Sequence, residues 1–78
     1  MKIHVTRADI RKGILNCLCP VKLTLERITR GTWFVGPFVA RQLIDYPLPR
    51  SARRFIKRFD LVLPVKPFKF ILRGLNDH

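Results

Sequence analysis

Arg50-Ser51-Ala52-Arg53-Arg54-Phe55-Ile56-Lys57-Arg58-Phe59 sorts into two faces when wound at about 100° per residue, the angle of an α-helix. Ala52, Phe55, Ile56 and Phe59 recur at i, i+3, i+4 and i+7 and share one side. Arg50, Arg53, Arg54, Lys57 and Arg58 take the other. The spacing predicts one helix with an apolar seam and a ridge of five cations with no acid among them. Such a seam must lie against other elements, so the flanking sequence has to supply them.

Downstream, Asp60 follows the predicted helix and residues 61–64 read as a turn. Residues 65–72 then alternate. Phe68, Phe70 and Leu72 share one face, while Lys69, Ile71 and Arg73 share the other, as in a half-buried strand. Pro64 and Pro67 stand at its start, where an edge strand tolerates them. Upstream, Pro47 and Pro49 bracket an extended entry, and Ser51 or the residue before it is placed to cap the helix. Residues 32–35 are aromatic and β-branched and read as a strand, with Gly36-Pro37 as a turn. Residues 39–44 read either as the returning strand of a hairpin or as a helix opened by Pro37.

Toward the N-terminus, Lys2–Val5 alternates with Ile3 and Val5 on one face, a short strand. Thr6 is an N-cap for a helix over Arg7–Lys12, with Asp9 at the capping-box position and Gly13 ending it. Residues 14–18 read as irregular. Pro20 opens a second helix, whose seam is Val21, Leu25 and Ile28. Lys22 and Glu26 form an exposed i, i+4 pair on it, and Gly31 lies just past its end. The sum is a single α+β domain over residues 1–78, in the order βααββαβ. Three or four short, mostly antiparallel strands pack on the helices, and residues 74–78 form a frayed tail. Phe55, Phe59, Phe68 and Phe70 are the expected aromatic centre of the core.

Composition bounds what this domain does. The 78 residues carry sixteen Lys and Arg against five Asp and Glu, a net charge of +11, with 47% hydrophobic residues. The apolar share suits a folded domain rather than a disordered one. The charge surplus repels itself and points to an anionic partner. No stretch approaches the roughly 18 apolar residues that a membrane span requires. The N-terminal residues lack the apolar core of a secretory signal, so an intracellular setting is expected. In that setting Cys17 and Cys19 are expected as thiols.

The chain reads Ile3-x-Val5-Thr6-x-x-Asp9-Ile10-x-x-Gly13, then Cys19-Pro20-Val21-x-Leu23-x-Leu25-x-Arg27. Later come Leu48-Pro49-x-x-Ala52-x-x-Phe55-Ile56-x-x-Phe59-Asp60 and Pro64-Val65-x-Pro67-Phe68-x-Phe70. This pattern resembles a group of small proteins of unknown function encoded by tailed bacteriophages and prophage-rich bacterial genomes. The resemblance spans most of the chain except residues 32–46 and the tail, and residues 48–70 are its more specific part. It implies a viral protein in the bacterial host cytoplasm and carries no activity with it. Many members of that group are neutral or acidic, so the strong positive charge of this chain is its own.

The basic face of residues 50–58 is the leading candidate site. Guanidinium groups bond phosphates or carboxylates in bidentate fashion, and several on one rigid face release counterions from DNA or RNA. Lys66, Lys69 and Arg73 extend that face if the last strand lies beside the helix. Trp33, Phe34 and Phe38, near Arg30 and Arg41, offer a stacking surface in principle, but core and hairpin packing is the expected use. Cys17-x-Cys19 with His4 and His78 is a poor match to a structural zinc site, so no metal or other cofactor is expected. Gly-rich phosphate loops and nucleophile elbows are missing, and acids are scattered, so an enzyme is not expected. The leading expectation is a small protein that binds DNA or RNA through its backbone. The first alternative is a phage-encoded modulator that docks on an acidic surface of a host protein complex. The second is a virion component lying against genome or capsid.

Overall fold

The structure is a computed structural model and describes residues 1–13 and 19–74. Residues 14–18, read above as irregular, and most of the expected tail lie outside the described residues. The elements run β1 (Lys2–Val5), α1 (Arg7–Lys12), α2 (Pro20–Thr29), β2 (Phe34–Val35), β3 (Val39–Arg41), β4 (Asp45–Pro47), α3 (Arg50–Asp60) and β5 (Phe68–Ile71). The α+β class stands, with five strands among the described residues in place of three or four. The strands form two antiparallel sheets, β1-β5 and β2-β3-β4. Among the described residues no helix is long and apolar enough to cross a membrane.

The first sheet joins the two ends of the chain. Ile3 faces Phe70 and Val5 faces Phe68, so these side chains share the inner face. His4 faces Lys69 and Lys2 faces Ile71 on the outer one. This alternation is what puts Ile3, Val5 and Phe70 into the core while their neighbours stay exposed. Beyond the strand, the Leu72 N–H donates to the Met1 carbonyl at 2.9 Å and the Met1 ammonium donates to the Leu72 carbonyl at 3.0 Å.

The second sheet is tied to α2 through Trp33, the largest fully buried side chain. Its Nε1–H donates to Thr29 Oγ1 at 2.8 Å and its backbone N–H to Glu26 Oε2 at 3.1 Å. Tyr46 of β4 packs a tilted ring on it with centroids 5.4 Å apart. Residues 39–44, open between strand and helix from sequence, begin as β3 and then turn. The Gln42 N–H reaches the Ile44 carbonyl at 3.2 Å, and the chain returns as β4. That second hairpin is the unforeseen strand. It is too short for a periodicity to register.

The α1 capping box forms as its sequence implies. Asp9 N–H donates to Thr6 Oγ1 at 3.2 Å, while the Asp9 carboxylate accepts from the Thr6 N–H at 2.9 Å. Arg27 of α2 adds a third element to this cluster, with Nη2 3.0 Å from Asp9 Oδ2. Gly13 ends α1 with an ordinary extended backbone rather than a left-handed one. The left-handed residue at the end of α2 is Arg30, with φ 58°, so the residue before Gly31 makes that turn.

Candidate functional site

The apolar seam of α3 is its fold-determining half. Ala52, Phe55 and Ile56 are buried, and Phe59 is half-buried. Phe55 stacks on Phe68 of β5 with centroids 4.6 Å apart, and Phe68 on Phe70 at 5.5 Å. Phe59 lies parallel to Phe55 with centroids 6.4 Å apart, so the four phenylalanines expected at the centre do meet, as one row running from α3 to β5. The most enclosed core lies beside them, around Trp33, Ile3, Leu25 and Leu72.

The seam holds the helix down, so the five cations of the opposite face stand outward and exposed. Among the described residues the ion pairs engage Lys22, Arg27 and Arg41, and none of them involves a cation of α3. The N-terminal end of the helix compounds the charge. Pro49, rather than Ser51 or Arg50, occupies the N-cap, with no side-chain cap and no acid in the first turn. Arg50 and Arg53 sit where the helix field favours acids, an arrangement that raises the local positive potential at some expense in stability.

The cations do not act as one undivided row. Arg50, Arg53, Arg54 and Lys57 line a groove of about 520 Å³ whose other residues include Pro37, Phe38, Ile56, Leu61 and one acid, Asp60. Arg58 turns away, and its Nε and Nη2 donate to the Pro64 carbonyl at 3.2 and 3.0 Å. Lys66 joins Arg54 and Arg58 along a second groove of about 380 Å³ on the other flank of α3. Lys69 lies on the outer face of the β1-β5 sheet opposite His4, because its neighbours Phe68 and Phe70 take the inner face toward α3. Lys69 therefore does not extend the ridge. Arg73 is exposed beyond the end of β5 and lines neither groove.

Two aromatic residues depart from the expected packing. Trp33 is buried, as a core role requires, but Phe34 and Phe38 are 67% and 63% exposed. Their hairpin is short, and Val35 and Ala40 supply its inward side chains. Phe38 thereby comes to line the same groove as the α3 cations, which composition and spacing did not reveal.

The turn after α3 is unusual. Leu63 N–H reaches the Arg58 carbonyl at 2.8 Å and Val62 N–H the Phe59 carbonyl at 3.0 Å, the two bonds of a Schellman motif. Its left-handed position, usually glycine, is Val62 with φ 59°. Leu61, Val62 and Leu63 are all left exposed there.

Cys19 precedes α2 as a free thiol, its pKa pushed up by burial against the opposing pull of the Val21 and Lys22 backbone. Cys17 and His78 of the weighed metal set lie outside the described residues. Among those described, no group of three or more His, Cys, Asp or Glu converges to hold a metal ion. Compared with known proteins, the chain matches no family model, no curated protein and no solved structure.

Proposed function

We propose that this protein binds the backbone of DNA or RNA through the exposed face of α3. One observation carries the reading: Arg50, Arg53, Arg54 and Lys57 line one groove with no ion-pair partner among the described residues. Unneutralised cations on a rigid helix repel one another, and an anionic ligand relieves that repulsion. Arg50 and Lys57 lie roughly 10 Å apart along the helix axis at 1.5 Å per residue. Projected on a duplex axis, that span covers about three charges of one strand at about 3.4 Å of axis each. Contacts of this kind position a nucleic acid without reading its sequence. The resemblance to phage-encoded proteins supports the cytoplasm of an infected bacterium as the setting.

Affinity for a labelled oligonucleotide should fall steeply with salt. Log K against log salt loses about 0.9 from its slope for each phosphate contact removed on duplex DNA, so Arg53→Gln and Lys57→Gln should each flatten it by about that much. Protein isolated at low salt should carry absorbance at 260 nm that a high-salt wash removes. Binding that ignores salt, or is absent at low salt, defeats the proposal.

A docking role on an acidic host protein finds support in a different feature, the exposed Leu61, Val62 and Leu63 beside the ridge. Apolar anchors next to charge are what a protein interface uses. A stoichiometric protein partner that survives nuclease treatment of a host lysate, with no nucleic acid retained beforehand, would favour that role over the first.

A further inference from the structure

The groove along α3 has a mixed lining. Arg50, Arg53, Arg54 and Lys57 supply cations, Pro37, Phe38, Ile56 and Leu61 supply apolar surface, and Asp60 is the one acid. Phe38 is held just before the start of β3 by its own carbonyl, which accepts the Leu48 N–H at 2.9 Å. The residue is nonetheless 63% exposed. A large, exposed aromatic residue on an anchored backbone, lining the same groove as guanidinium groups without ion-pair partners among the described residues, is not explained by core packing.

We infer that the groove takes single-stranded nucleic acid in preference to duplex, with phosphates on Arg50, Arg53 and Lys57 and a base stacked on Phe38. This inference rests on the backbone-binding reading and specifies the ligand within it. A nucleotide has the same mixed character as the groove, a charged backbone joined to a flat apolar base. In a duplex the base faces are occupied by their neighbours, so Phe38 would have nothing to stack on. The trough continues past Phe38. A smaller groove containing Gly36 and Pro37 joins the first, and a third containing Phe34 adjoins that. Charge is concentrated at the Phe38 end, because Lys22 and Arg41 in the third groove are already paired to Glu26 and Asp45.

The test is fluorescence anisotropy with a mixed-sequence DNA strand, the matching RNA strand and the corresponding duplex, all at low salt. Single strands should bind about 10-fold tighter than duplex, and Phe38→Ala should weaken them about 5- to 30-fold, the lower part of the range for one stacked base. Duplex affinity should stay within about 2-fold in the same variant, since backbone contacts alone hold it. Phe38→Trp should retain single-strand affinity, and Phe38→Leu should behave like Phe38→Ala. Unchanged thermal melts would establish that the variants fold. The DNA and RNA arms decide which single strand is preferred.

Equal or tighter duplex binding, or indifference to Phe38→Ala, overturns the single-strand inference and leaves backbone binding standing. An equal loss for strand and duplex overturns it as well. Displacement of the strand by polyglutamate at matched charge would show that the groove reads charge alone or favours an acidic polypeptide, which also overturns it. No binding at low salt in any arm removes the backbone reading itself.

Discussion

Replacing Asp9 with Asn should destabilise the domain by an amount that vanishes in acid. Asp9 is 5% exposed and accepts from the Thr6 hydroxyl at 2.8 Å and from Arg27 Nη2 at 3.0 Å. Burial alone would raise its carboxyl. The Arg27 guanidinium and the Thr6 donors together outweigh burial and hold it at about 2, against an ordinary 3.8. The native carboxyl thus binds its proton more weakly than the unfolded one. As pH falls the unfolded state takes up more protons, so stability rises with pH across the interval. The contribution is complete above the ordinary value, declines below it, and is lost as pH passes through the native value. Its size is about 2 kcal/mol.

Arg27 is 51% exposed, so water solvates it once its partner is gone, and the larger penalty of an isolated buried charge does not apply. Asp9→Asn should therefore cost about 2 kcal/mol at neutral pH, lowering Tm by roughly 8–16 °C in a domain of this size. Urea unfolding followed by Trp33 emission, repeated between about pH 7 and about pH 2, measures the gap. Other carboxylates titrate in both proteins, so only the difference between them isolates Asp9. The gap should close as the pH falls below the ordinary carboxylate value. Parallel stability curves across the whole range, or a neutral-pH cost below about 0.5 kcal/mol, would refute the assignment of the cluster.

Three further substitutions probe the packing. Val62→Gly should stabilise by about 1 kcal/mol, seen as a higher urea midpoint, because it removes a branched side chain from a left-handed position. Gly13→Ala should destabilise by about 1–2 kcal/mol in the same assay. The added carbon would meet Phe59 Cζ and Pro20 Cγ, each at 2.8 Å, although the backbone itself tolerates a side chain there. Trp33→Phe should cost about 2 kcal/mol by thermal melting followed by circular dichroism. It loses buried volume and the Nε1–H bond, while Thr29 Oγ1 still has the Leu25 carbonyl at 2.7 Å.

The elements read correctly from sequence are those whose signals are local. Thr6 and Asp9 lie within one turn of each other, Pro20 marks a first helical residue by its own geometry, and α3 sorts its side chains by a 3.6-residue period. Lys22 and Glu26, four residues apart, meet at 2.8 Å for the same reason. None of these depends on how the chain returns upon itself, so adjacent residues suffice to specify them.

The site depends on contacts between residues far apart in the chain. Arg27 reaches Asp9 across 18 positions. The pairing of β1 with β5 turns Lys69 away from α3, and the hairpin register buries Ala40 while leaving Phe34 exposed. The Schellman turn carries the chain to where Pro64 captures Arg58. The amphipathic period of residues 50–59 thus dictated that a cationic helix face would exist. Which cations share a groove, and that Phe38 lines it with them, followed from strand register and chain return. Those are set by the packing of distant segments, and no local pattern encodes them.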